Sequence, residues 1–139
     1  MTSGSPTEKF SVLQEAGVML TRQRIALLNL LFGMGNRHLT ARHLHEQAAA
    51  ANVVVSLATV YNTLKLVSHH GLVREVSVDT GTTYFDTNVA GHNHIFFEDT
   101  RLLIDSSCEE WAVSELPIPQ GYEIVRVDLT VRLSPVKAV

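Results

Sequence analysis

Cysteine is all but missing from this 139-residue chain, and its one copy, Cys108, excludes two classes of protein. No disulfide framework can form within the chain, and no zinc site can be assembled from cysteine pairs. Long apolar runs are missing too. None approaches the roughly 20 residues that a bilayer span requires, so no membrane partner is expected. No charged-then-apolar leader opens the sequence, and a cytoplasmic location is expected from that. Internal repeats and low-complexity tracts are likewise absent.

A basic excess is also lacking, since the net charge is −3. That sits poorly with nucleic-acid binding until the chain is divided after Asp86. Residues 1–86 hold seven Lys/Arg against six Asp/Glu, and residues 87–139 hold four against eight. The first part is therefore slightly basic and the second acidic, which implies two jobs. Five of the seven histidines lie in the first part, so its charge rises as pH falls. The 45% apolar content is enough for a real core.

What is present centres on residues 56–86. Ser56 can cap a helix in which Leu57, Val60, Leu64 and Val67 recur at helical spacing and face one way. Ala58, Thr59, Tyr61, Asn62 and Lys65 are left for the outside. Hydroxyls, an amide and a lysine on one face are the groups that meet phosphates and base edges. Gly71 can end this helix. Leu72, Val76 and Val78 share a parity, residues 79–82 supply a turn, and residues 83–85 return, giving a hairpin.

Upstream, Thr7 is read as the cap of a first helix with Phe10, Leu13 and Ala16 inward. Thr21 caps a second helix with Ile25, Leu28 and Phe32 inward. Its first turn carries Arg22 and Arg24, where the helix dipole disfavours cations and a nearby phosphate would reverse that penalty. A third helix follows Thr40, with Leu44, Ala48 and Ala51 inward and with His43 and His45 in solvent. His69 and His70 close the helix that Ser56 opens. Helices followed by a hairpin form a winged helix-turn-helix, in which the last helix enters the major groove.

After a linker at residues 87–91 the pattern turns strand-like. Residues 94–97 and 101–104 are read as strands. Ser106 and Glu109 form a capping box for a helix carrying Cys108, Trp111, Ala112 and Leu116, which Pro117 ends. Residues 123–133 alternate apolar and polar as one long strand. The fold class expected is α+β: a winged helix in residues 1–86, a hinge at 87–91, and a small β-β-α-β domain at 92–139. So small a second domain buries little alone, and pairing with a second copy would remedy that.

His92 and His94 stand two apart on an extended segment, so both imidazoles can reach one ion. Asp86 and Asp105 flank them in sequence and His38 precedes the third helix. Imidazole with carboxylate suits iron, manganese or zinc. With Glu98, the two histidines also copy the first half of a cupin motif, a remote metalloenzyme alternative.

Three segments, LTRQR at 20–24, RHLTARHLHEQA at 37–48 and SLATVYNTL at 56–64, with TYFDTN and His-x-His after them, resemble the ferric uptake regulator (Fur) family of metal-responsive transcription factors. The resemblance spans nearly the whole chain and is strongest to its iron response regulator (Irr) branch. It implies a homodimeric repressor acting on an AT-rich palindromic operator and controlling iron homeostasis or haem biosynthesis genes. Position by position it implies regulatory metal ligands at His38, Asp86, His92, His94 and Asp105. It implies iron, manganese or zinc as the ion, and haem at His92 and His94. Arg22, Ser56, Ala58, Thr59, Tyr61, Asn62 and Lys65 are the implied DNA-binding residues. The family's four-cysteine structural zinc is not expected.

Overall fold

The computed structural model describes residues 5–79, 81–89, 93–106, 116–125 and 127–137. Its contacts divide the chain into two units, Met1–Ala90 and Gly91–Val139.

Four helices and a small sheet make up the first unit. Helix α1, Pro6–Glu15, begins earlier than expected: Ser5 rather than Thr7 is the cap, in a reciprocal capping box with Glu8. Pro6 explains the shift, because it has no N–H to satisfy and its φ already suits a helix start. Helix α2, Arg22–Phe32, is capped by Thr21, whose hydroxyl accepts from the Arg24 amide. Its buried face is Leu27, Leu28, Leu31 and Phe32, with Ile25 exposed. In a helix this rich in leucine several faces are apolar, and only packing selects one. Strand β1, His38–Leu39, is followed by α3, Ala41–Ala50, capped by Thr40, with Leu44 and Ala48 buried and Ala51 exposed.

Helix α4, Leu57–His69, is capped by Ser56, whose Oγ accepts from the Thr59 amide at 3.1 Å. Its seam is Val60, Thr63, Leu64 and Val67. Leu57 is 43% exposed, and Thr63 takes its place inside by donating its hydroxyl to the Thr59 carbonyl at 2.8 Å. Gly71, at φ +73°, lets the chain reverse so that the Leu72 amide reaches the Val67 carbonyl at 2.9 Å. Strands β2, Arg74–Asp79, and β3, Thr82–Asp86, form the hairpin, with an irregularity between Ser77 and Asp79. The sheet order is β1-β3-β2, so the expected hairpin carries a third strand. Phe85 brings this sheet into the core with Leu13, Leu27, Leu31, Leu39, Leu44 and Leu64.

In the second unit, β4, Asn93–Phe97, lies between β5, Leu103–Ser106, and β6, Thr130–Leu133. β5 pairs antiparallel to β4 and β6 parallel to it. Phe96 is buried, and the guanidinium groups of Arg101 and Arg132 each lie over its ring, 5.1 Å from the centroid. The last strand is four residues long, where alternation predicts eleven. Its described pairing with β4 runs from His94↔Thr130 to Phe97↔Leu133, and Val125 before it is 93% exposed. The helix expected at 106–116, with Cys108, Trp111 and Ala112, falls mostly outside the described residues. Helices with a small antiparallel sheet in the first unit and a second sheet after it make the chain α+β, and no described helix is long and apolar enough to cross a membrane.

Leu64 is wholly buried, so Leu64→Ala is expected to cost about 2–5 kcal/mol of stability in urea unfolding. Ser56→Ala removes only the cap and is expected to cost about 1 kcal/mol.

Candidate metal and nucleic-acid sites

In an antiparallel ladder, residues directly opposite share a face with their Cβ atoms close together. Twice among the described residues that rule sets a histidine against an aspartate. In the first unit β1 pairs with β3 in the register His38↔Asp86, and His38 Nε2 lies 3.2 Å from Asp86 Oδ2. Asp86 is fully buried, and its Oδ1 accepts from the Asn88 amide at 2.9 Å, which fixes the plane of the carboxylate. On the other side of β3 its cross-strand neighbour is Arg74, also buried. In the second unit β4 pairs with β5 in the register His94↔Asp105, and His94 Nε2 lies 3.6 Å from Asp105 Oδ1. His94 is buried, and its backbone amide donates to the Leu129 carbonyl at 3.0 Å.

Two of the five expected ligands thus meet in each unit, leaving His92 outside the described residues. Imidazole nitrogen beside carboxylate oxygen is a donor set that fits iron, manganese or zinc. Glu98, which the cupin alternative needs beside the histidines, instead accepts from Arg132 Nε at 2.8 Å.

Strand alternation also explains what stands behind the first pair. Arg37 and Thr87 follow one step along, on the side of the ladder that carries Leu39 and Phe85. The Thr87 amide donates to the Arg37 carbonyl at 3.0 Å, and the Arg37 amide donates to Thr87 Oγ1 at 2.9 Å. The Arg37 guanidinium donates to Gln47 Oε1 at 2.9 Å and to the Leu30 carbonyl at 3.4 Å. Burial pushes its pKa below the ordinary guanidinium value.

Of the expected DNA-facing residues, Arg22, Ser56, Ala58, Tyr61, Asn62 and Lys65 are exposed and Thr59 is half-buried. The Ser56 and Thr59 hydroxyls lie 2.9 Å apart within the cap. Tyr61 is held edge-on by Phe85, with ring centroids 6.4 Å apart, and Lys65 Nζ sits 5.6 Å above the Tyr61 ring. Lys65 also pairs with Glu75 of β2 at 2.8 Å, and that hydrogen bond raises its pKa above the ordinary lysine value. So Lys65 ties α4 to the hairpin, a role its spacing does not reveal.

Two clefts flank this face of α4. One, of about 400 Å³, is lined by Thr21 and Arg24 from the start of α2 and by Thr59 and Asn62. The other, of about 510 Å³, lies between Tyr61, the start of α3 at Thr40 and Arg42, and the hairpin tip at Thr82 and Thr83. Arg42 in this cleft is not singled out by the sequence, because its place three residues before His45 on an amphipathic helix looks like any solvated position. Arg24 donates to the Met19 carbonyl at 2.6 Å, so its cost at a helix start is offset locally. The chain enters α4 under restraint. Gln23 Nε2 donates to the Val54 carbonyl at 3.3 Å, and His45 Nε2 lies 3.1 Å from the Val55 carbonyl. His45 is therefore half-buried structure rather than a solvated side chain.

Comparison with known proteins gives this geometry a family. A peroxide-responsive repressor, PerR, from Staphylococcus aureus is 32% identical over 98 residues, or 70% of this chain. The chain spans 66% of that relative's length. The structure of the ferric uptake regulator from Pseudomonas aeruginosa with manganese superposes with a TM-score of 0.71 at 27% identity, covering 93% of this chain and 98% of that one. The ferric uptake regulator of Vibrio cholerae matches in fold, with a TM-score of 0.70 at 21% identity over 90% of this chain and 98% of its own. A model of the ferric uptake regulator family matches residues 15–132, and the chain belongs to that family.

Proposed function

We propose that this chain is a homodimeric DNA-binding transcriptional regulator whose operator affinity responds to a divalent cation. The observation that carries the reading is the twice-repeated pairing of a histidine with an aspartate across a ladder, at 3.2 Å and 3.6 Å. Each pair supplies two donors, whereas such ions take four to six ligands, so His38, Asp86, His94 and Asp105 are proposed to serve one ion, with His92 as a further ligand. When bound, the ion would neutralise carboxylate charge and fix both imidazoles. Residues 87–91 then form a hinge between a DNA-binding domain at 1–86 and a dimerising domain at 92–139. A coupling of about 1–3 kcal/mol would change operator affinity about 5- to 150-fold.

Iron, manganese and zinc all suit the donors, and the manganese in the Pseudomonas aeruginosa regulator supports an ion of this class. Haem draws less support. His94 is 4% exposed and its Nε2 faces a carboxylate, where a porphyrin needs an open face. Placement in the iron response regulator branch draws no support from the repressor of Staphylococcus aureus, whose name is peroxide-responsive. That name makes peroxide the second signal to test: hydrogen peroxide is expected to weaken operator binding, and unchanged binding removes the second reading.

On the DNA side, Ala58, Tyr61 and Asn62 are the proposed base-reading residues. Arg22 is proposed to meet phosphate, Ser56 and Thr59 to hold the start of α4, and Lys65 to act beside them while tethered to Glu75. Arg42 and the hairpin tip line the wing-side cleft and are proposed to meet the backbone next to the groove. The family's regulators act on DNA rather than as catalysts, which sets the cupin-like enzyme aside.

Operator affinity, measured on a duplex selected by the chain from a random pool, is expected to change at least fivefold with ferrous, manganous or zinc ion. The double variant His38→Ala, His94→Ala is expected to lose that response, and a response that persists sinks the metal site. Tyr61→Phe and Asn62→Ala are expected to weaken operator binding at unchanged stability. Arg42→Ala should lower the slope of log affinity against log salt by about 0.9, one phosphate's worth; a changed base preference with the same slope would mean it reads bases instead.

A further inference from the structure

Behind the first histidine–aspartate pair lies a connection that the pair itself does not need. His38 and Asp86 face one side of the β1–β3 ladder, and Arg37 and Thr87, one residue away on each strand, belong to the other. From that second side the Arg37 guanidinium reaches Gln47 Oε1 on α3 at 2.9 Å and the Leu30 carbonyl of α2 at 3.4 Å. Its main chain meanwhile is bonded to Thr87 through the amide at 2.9 Å and the carbonyl at 3.0 Å. One residue therefore touches the strand that bears His38, the residue after Asp86, and two of the helices.

We propose that Arg37 is a positioning residue that couples occupancy of the His38–Asp86 pair to the placement of α3 and, through α3, of α4. The argument rests on the cation-responsive reading given above. Drawing His38 and Asp86 onto an ion changes the local geometry of a strand only two residues long, and the planar guanidinium transmits that change in two fixed directions. Gln47 receives it on α3. Two residues before Gln47, His45 meets the Val55 carbonyl at 3.1 Å, where the chain turns into α4. Leu44 and Ala48 of the same helix pack in one core with Val60 and Leu64 of α4, so α3 cannot shift without them. None of these contacts supplies a metal ligand, which separates coupling from binding.

The test uses the full chain with manganous ion alone as the probe. Two quantities are measured: manganese affinity of the DNA-free protein, and the ratio of operator affinities with and without manganese. For Arg37→Met the free manganese affinity is expected to stay within about threefold of the parent, while the ratio collapses toward one. Arg37→Lys, which keeps the charge but loses the planar fork, is expected to restore only part of the ratio. Gln47→Leu leaves Arg37 in place and cuts only the α3 end; it is expected to lower the ratio as well, and it carries the test should Arg37→Met fail to fold. A ratio that survives in both Arg37→Met and Gln47→Leu overturns the inference. So does a tenfold or greater loss of free manganese affinity in Arg37→Met, because Arg37 would then be building the site. A parent ratio of one would overturn the cation-responsive reading itself, and this inference with it.

Discussion

The short ladder between residues 37–39 and 85–87 is the constraint on which the first unit depends. One side of it carries Leu39 and Phe85, both buried with the helices in a single core. The other side carries His38 and Asp86. Because successive residues of an extended chain alternate in direction, six residues serve the core on one side and set a histidine against an aspartate on the other without competition. A net hydrogen bond contributes only about 0.5–1.5 kcal/mol, so so short a ladder holds its register mainly through burial of Leu39 and Phe85.

Around this ladder the helices divide their labour by face. The seam of α4 at Val60, Thr63, Leu64 and Val67 is closed to solvent, and its opposite side is left to Ala58, Tyr61, Asn62 and Lys65. That exposed side is not loose. Phe85 meets Tyr61 edge-on, and the Lys65–Glu75 pair ties the helix to β2. An exposed ion pair of this kind contributes little to stability, and its value lies in orientation. The second unit repeats the cross-strand device with fewer resources. Among the described residues it has three short strands about Phe96, the last of which is shorter than the alternation in its sequence.

Much of this was legible before any coordinates. Hydroxyls at Thr21, Thr40 and Ser56 announced three helix starts, and Gly71 announced one helix end, because capping is a local exchange between a side chain and backbone a few residues away. Errors arose where local signals were degenerate. Pro6 moved the first cap from Thr7 to Ser5, leucine-rich α2 offered several apolar faces, and Leu57 lost its inward place to Thr63. The candidate site was half legible. His38, Asp86, His94 and Asp105 stood out as residue types and as matches to a family motif, but no local pattern told which of them would meet: His38 faces Asp86, and His94 faces Asp105, because their strands lie opposite each other.

By itself, the sequence determined where α2, α3 and α4 begin, which half is acidic, which residues can ligate or donate, and which family the chain resembles. All of these are written in neighbours within about one helical turn or in composition. Only the tertiary structure decided that His38 lies on a strand at all, that its partner is Asp86, and that Arg37 faces the helices instead of solvent. Strand register sets those facts: it joins residues 48 positions apart by burying Leu39 and Phe85, and no local pattern records such a distant choice.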